Sequence, residues 1–280
     1  MKDFNDKKAY ITGGSSGIGL AIGKLLAAKG ANVVIFARRW DVLEKAINDI
    51  SACKRNESQR FLAKQLDVAG REECEHVLPE VVVEFGAPDI LINSAGIGHP
   101  AIFEDIDYAT FDKVIKINVH GTWNTVSLLA PYMKDKGGYI VNVSSVAGYI
   151  GIYGMAAYST SKFGVSGLSE VLRSELKRFN ISVSVLCPPD VDTPLLEQSD
   201  RIKPEETKAI SATASLMTTE EVAIALLKGM SKNEFMIIPN FGGRFTYVMK
   251  RVFPGLVNYI VDSKVESFRK QRKRNKSNEV

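Results

Sequence analysis

The chain has 280 residues, 45% of them hydrophobic and 24% charged, the balance of a soluble globular protein with enough apolar mass for a full core. Three cysteines (Cys53, Cys74 and Cys187) are too few and too scattered for a disulfide framework or a thiolate metal site, which fits a reducing, cytoplasmic setting. The polar start and the lack of a run of about 18 apolar residues argue against a signal peptide or a spanning helix. The net charge of +4 is misleading, because residues 269–276 alone carry six positive charges. The remainder is slightly acidic, so nucleic acid is not an expected partner.

In chain order, apolar runs of strand length fall near 8–12, 32–37, 60–66, 89–93, 138–144, 182–187 and 235–238. Stretches of helical period lie near 17–29, 40–53, 71–85, 110–134, 156–179 and 219–231, several of them stopped by glycine. This alternation predicts an α/β fold: a doubly wound parallel sheet of about seven strands with helices on both faces, Rossmann-type. Residues 1–239 form the expected catalytic domain and 240–280 a helical appendix with a basic tail.

The first strand runs into Thr12-Gly13-Gly14-Ser15-Ser16-Gly17-Ile18-Gly19, which opens the first helix. In that context Gly13, Ser15, Ser16, Gly17, Ile18 and Gly19 are candidates to cradle a dinucleotide pyrophosphate, because glycine lets backbone amides approach the phosphates. The second strand ends in Ala37-Arg38-Arg39, where NAD-preferring domains place an acidic residue. A guanidinium can bind a 2′-phosphate that a carboxylate would repel, so the expected cofactor is NADP(H), with Arg38 the main contact and Arg39 secondary.

Farther along, Tyr158 and Lys162 stand four apart on a predicted helix and so share one face. An ammonium beside a phenol is expected to lower the phenol's pKa and make Tyr158 a proton donor to a carbonyl oxygen. Ser144 and Ser145 end a strand at the edge where α/β sheets bind ligands, and one of them can hydrogen-bond the same oxygen. His76, His99 and His120 show no ligand spacing, so no metal is expected.

Taken together these residues resemble the short-chain dehydrogenase/reductase family over roughly 7–239. The motifs are Thr12-Gly13-x-x-x-Gly17-x-Gly19, Asp67-Val68, Asn93-Ser94-Ala95-Gly96, Asn118, Ser145, Tyr158-x-x-x-Lys162 and Pro188 through Thr193. The resemblance implies that Ser145, not Ser144, is the catalytic serine and that Asn118 positions a water feeding Lys162. It also implies that Lys162 holds ribose hydroxyls, that Asp67 and Val68 contact adenine, and that Asn93, Ala95 and Gly96 line the cofactor. Pro188, Val191 and Thr193 flank it, with Thr193 on the carboxamide. Members often form homodimers or homotetramers.

Ser94 replaces a common asparagine, and Pro188-Pro189-Asp190-Val191-Asp192-Thr193-Pro194 replaces the usual Pro-Gly. The second departure, with Lys203-Pro204-Glu205-x-Thr207, is similar to the branch that reduces the 3-keto group of a long-chain sphingoid base with NADPH. Alternatives are a reductase of another hydrophobic ketone (steroid, 3-ketoacyl or retinoid-like) and a non-catalytic NADP sensor on the same fold. Beyond Pro239, an apolar helical stripe from Phe241 to Val261 is interrupted at Pro254-Gly255. It suits either peripheral contact of residues 241–276 with an anionic membrane or packing on the protein or a sister subunit.

Overall fold

A computed structural model describes residues 1–211 and 215–278, with side chains through Lys270. Its centre is one parallel sheet in the order β3-β2-β1-β4-β5-β6-β7. The strands are β1 (Lys8–Thr12), β2 (Asn32–Ala37), β3 (Phe61–Gln65), β4 (Ile90–Asn93), β5 (Gly138–Val143), β6 (Ile181–Leu186) and β7 (Met236–Ile237). Ile11, Val33, Ile35, Leu91, Ile140 and Val185 are fully buried, as both-face coverage demands of a parallel sheet.

Among the described residues six α-helices precede β6, namely α1 (Gly17–Ala28), α2 (Trp40–Ser51), α3 (Arg71–Phe85), α4 (Tyr108–Ile115), α5 (Gly121–Met133) and α6 (Ala156–Glu175), and α7 (Pro194–Ile202) comes after it. Four more follow: α8 (Glu205–Ser211), α9 (Thr219–Ser231), α10 (Phe241–Val252) and α11 (Pro254–Asn278). One apolar layer joins α1, α2 and α9 to one sheet face through Ile22, Leu26, Leu43, Ile50, Leu226 and Met230. A second joins α3 and α5 to the opposite face through Cys74, Leu78, Leu129 and Met133.

Two expectations needed refinement. The helix expected over 110–134 is α4 and α5 joined by a π-helical turn, Lys116–His120. The segment after Thr193, where periodicity predicts no helix, holds α7 and α8. Thr193 accepts a bond from the Leu196 amide and Pro194 takes the first helical position, a strong start signal for a short helix.

Sheet order reverses between β1 and β4, and this opens a crevice at their carboxyl ends. The glycine turn leaves β1 there, and Asn93 through Gly96 leave β4. Gly13 has φ +65°, and a Cβ on it would come within 2.8 Å of the Ala95 backbone. Only glycine lets these two loops meet.

The segment after Pro239 packs onto the end of the sheet. Tyr149 donates a hydrogen bond to the Gly243 carbonyl (3.0 Å), and its ring meets Tyr247 edge-on with centroids 5.3 Å apart. Phe241, Phe245, Val248 and Val252 remain exposed on the outer face of α10. The apolar stripe is therefore not consumed by packing within its own chain. Side chains of the basic tail beyond Lys270 lie outside the described residues, and among those described no helix is long and apolar enough to cross a membrane.

Candidate active site

The crevice deepens into a cavity of about 220 Å³ lined by Gly13, Ser16, Gly17 and Ile18 on one side and by Ser145, Tyr158 and Lys162 on another. Ala95, Gly96, Pro188, Val191 and Thr193 also reach it. Residues from four separate loops and one helix thus converge on one space, while Arg38, Arg39, Asp67, Val68, Asn93 and Asn118 are not among its lining residues.

Helix α6 carries the acid-base pair. Lys162 is buried, its Nζ donates to the Val143 carbonyl at 2.9 Å, and it lies 5.5 Å from the Tyr158 ring centroid. Desolvation pulls the ammonium down to about 8. The Tyr158 phenol, partly buried at the cavity wall, is pushed up to about 12, first by desolvation, against which a hydrogen bond with Ser145 acts; the charge of Asp190 adds to the rise. This corrects the expectation that Lys162 lowers the Tyr158 pKa: the ammonium lies over the ring rather than at the hydroxyl and donates one N–H to the Val143 carbonyl, so burial dominates. Tyr158 therefore holds its proton firmly at neutral pH.

Geometry separates the two serines. Ser144 donates to the Lys162 carbonyl at 2.9 Å and sits 3.0 Å from the Ser166 hydroxyl, so it ties β5 to α6. Ser145 accepts from the Ala147 amide at 3.2 Å and is left facing Tyr158. Asn118, in the π-helical turn, donates to the Ile97 carbonyl (2.9 Å) and to the Ser161 hydroxyl (2.8 Å) and accepts from the Ile97 amide (2.8 Å). Ser161 in turn donates to the Tyr158 carbonyl at 2.7 Å. A π-helical turn commonly marks a functional position, and here it anchors the β4 loop to the helix bearing Tyr158.

Asn93 departs from the expected role. Its amide donates to Asn142 at 2.8 Å and its oxygen accepts from Thr125 at 2.6 Å, so the side chain belongs to a buried network rather than to the cavity. Asp67 accepts from the Ala69 amide at 3.0 Å, and the Val68 carbonyl accepts from Asn124 at 2.9 Å; both stand outside the deep cavity. Arg38 and Arg39 follow β2 as exposed side chains.

The crevice fits a dinucleotide on its own chemistry. The first turn of α1 holds no acidic residue, and the Ser16 side chain makes no capping bond there, which leaves N–H groups directed at an anion. Gly17 has φ +52°, and a Cβ there would stand 3.1 Å from the Thr193 methyl, so a side chain would be strained and would crowd the passage between turn and loop. Periodicity alone missed two further cavity residues, Ser199 and Lys203, because they lie on the unforeseen helix α7 and at its end.

Comparisons agree with this architecture. The chain is 37% identical over 227 residues to the 3-ketodihydrosphingosine reductase of Mus musculus, covering 80% of this chain and 68% of that protein. It is 36% identical to the 3-dehydrosphinganine reductase of Danio rerio, covering 82% and 70%. A crystal structure of a short chain dehydrogenase/reductase from Burkholderia phymatum in complex with NAD superposes with a TM-score of 0.80 at 24% identity, covering 91% of this chain and 96% of that one. The family model described as short chain dehydrogenase matches residues 7–203, and the chain belongs to that family.

Proposed function

We propose that this protein reduces the 3-keto group of a long-chain sphingoid base, 3-ketodihydrosphingosine to dihydrosphingosine, with NADPH. One observation carries the reading: the hydroxyls of Ser145 and Tyr158 face one apolar-walled cavity that adjoins the glycine turn, in a chain 36–37% identical to reductases named for this substrate. The reduced nicotinamide, when bound, supplies a hydride to the carbonyl carbon. Ser145 and Tyr158 hold the carbonyl oxygen by hydrogen bonds, and Tyr158 gives that oxygen its proton, which completes a secondary alcohol. Lys162 holds positive charge beneath the phenol and is placed to grip ribose hydroxyls. Arg38, at the end of β2, is assigned to the 2′-phosphate, and Asp67 and Val68 to adenine.

The lipid reading gains from the appendix. Helix α11 packs on α8, whose Thr207 and Ser211 line the cavity, and α10 bears the exposed stripe with Lys250 and Arg251 in its last turn. We assign this face to peripheral contact with an anionic membrane, from which a long-chain substrate enters. Trp123, Phe163 and Val171 are exposed on α5 and α6, and these faces are assigned to a second copy in a cytoplasmic homo-oligomer.

NADPH oxidation should be followed against 3-ketodihydrosphingosine, 3-ketoacyl thioesters and steroids. Turnover of the sphingoid ketone, lost by orders of magnitude in Tyr158→Phe while NADPH binding persists, is the expected result. Turnover of another ketone without the sphingoid one would reject the substrate assignment, and binding without any turnover would favour a sensor.

A further inference from the structure

The loop that departs from the family's Pro-Gly pattern carries three linked charges. Lys203, at the end of α7, is buried, with a side chain only 4% exposed. Its ammonium lies 2.6 Å from Asp200 and 3.8 Å from Asp190. One ammonium between two carboxylates leaves one negative charge uncompensated. The short pair is with Asp200, which is half-exposed and does not reach the cavity. The long pair is with Asp190, which lines the cavity together with Lys203, Tyr158 and Ser145. Asp190, only distantly paired, therefore presents to the substrate space the one acidic group among the described lining residues, alongside the ammoniums of Lys203 and Lys162.

Asp190 is also held firmly. Its carbonyl accepts from the Met217 amide (3.0 Å), and the Met217 carbonyl accepts from Asp192 (2.9 Å). Pro189 fixes the preceding φ, and the Pro188 carbonyl accepts from the Val146 amide (3.0 Å), which fastens the loop beside Ser145. Asp190 lines the same cavity as Tyr158 and Ser145, and after burial its charge adds to the rise of the Tyr158 phenol. A carboxylate fixed beside a carbonyl site, in a cavity otherwise mostly apolar, selects for a cation near the reacting carbon.

We propose that Asp190 binds a protonated amino group on the carbon next to the reacting carbonyl, with Lys203 as its positioning residue, and that this contact sets the preference for 2-amino ketone lipids. The proposal rests on the reductase reading and adds the recognised group. Lys203, neutralised mainly by Asp200, holds the carboxylate without cancelling it, and Asp190 thereby distinguishes an amino ketone from a plain fatty ketone of equal length.

The test compares 3-ketodihydrosphingosine with its deamino counterpart, 1-hydroxyoctadecan-3-one, in the full-length protein with NADPH. The native enzyme should favour the amino ketone by tenfold or more in kcat/KM. Asp190→Asn, which keeps the shape and removes the charge, should close most of that gap, chiefly by raising KM for the amino ketone. NADPH affinity and the melting temperature of the variant serve as the check on folding. Equal kcat/KM for the two ketones in the native enzyme overturns the proposal whatever the variant does, while leaving the reductase reading intact. So does a preference that survives in folded Asp190→Asn. Turnover of neither ketone overturns the reductase reading and this proposal together.

Discussion

The Lys162 ammonium lies 5.5 Å from the centroid of the Tyr158 ring and donates at 2.9 Å to the Val143 carbonyl. Burial moves the lysine from 10.5 to about 8, an unfavourable shift of roughly 3 kcal/mol at about 1.4 kcal/mol per unit. The folded state therefore bears this cost wherever both states are charged, below pH 8. Between 8 and 10.5 the unfolded chain holds a proton that the folded one has released, so this contribution to stability rises with pH. Lys162→Met should stabilise the fold by about 1–2 kcal/mol at pH 7, after about 1 kcal/mol is lost with the Val143 hydrogen bond. The gain should fade by pH 10 while turnover is abolished. Denaturant melts at pH 7 and 10 check it, and a variant less stable than the native protein at pH 7 would reject the account.

The same two groups set the pH dependence of the reaction. Tyr158, pushed up to about 12, stays protonated across the working range, whereas Lys162 loses its charge near 8. Ketone reduction should thus hold steady below pH 8 and fall above it, by about tenfold per unit once the lysine is neutral. Initial rates from pH 6 to 10 at saturating NADPH decide this. A profile flat to pH 10 would separate the lysine charge from catalysis.

Much of this site was legible because its parts obey local rules. The glycine turn needed only strand-loop-helix context, and the four-residue spacing of Tyr158 and Lys162 placed both on one helix face. Local rules could not say which way the phenol's pKa moves, since that depends on how much protein closes over it. They also could not show that Asn93 turns into the sheet, because a strand-end asparagine reads the same whether it meets a ligand or Asn142. Helices α7 and α8 were missed because α7 exposes most of its residues and α8 is only seven residues long, so tertiary contact with the cavity and α11 decides their form.

Arg38 is exposed at the end of β2, and its carbonyl accepts from Gln65 at 2.7 Å, which fixes the backbone where the guanidinium departs. Charged hydrogen bonds to a phosphate contribute roughly 1.5–3 kcal/mol. Arg38→Ala should weaken NADPH binding by about ten- to a hundredfold and leave NADH binding nearly unchanged. Fluorescence titration with both nucleotides measures the two effects. Equal losses for the two would move the phosphate contact elsewhere.

Behind the cavity a buried chain of polar groups locks four elements together. Thr125 of α5 donates to Asn93 of β4 (2.6 Å), Asn93 to Asn142 of β5 (2.8 Å), and Asn142 to Ser169 of α6 (2.9 Å). Ser169 completes it by donating to the Val165 carbonyl at 2.6 Å. Asn142→Ala strands the buried Asn93 amide and opens a small void, so the expected loss of stability is about 2–4 kcal/mol. Because the same chain orients α6, turnover should fall more than NADPH affinity at temperatures well below the melt. A variant as stable as the native enzyme would show that the network rearranges freely.

The outer face of α10 presents Phe241, Phe245, Val248 and Val252 to solvent, at the four- and three-residue steps that keep them on one side of the helix. Arg244, though exposed, donates to the Ile238 carbonyl at 2.9 Å and pairs with Glu234 at 3.8 Å, so its guanidinium is engaged with its own chain. Lys250 and Arg251 stand at the end of the stripe, where they meet anionic headgroups without entering the apolar layer. Two phenylalanines contribute much of the buried area such a contact would provide, at about 25 cal/mol per Å². The double variant Phe241→Ser, Phe245→Ser should therefore leave vesicles of anionic lipid in flotation assays while keeping its fold, since neither ring is part of the core. Turnover of a short, water-soluble keto substrate should persist in it, and turnover of the long-chain ketone presented in vesicles should fall. If the native protein itself stays in the soluble fraction with anionic vesicles at low salt, the stripe serves a protein partner or a second copy instead, and a concentration-dependent mass in solution would identify the latter.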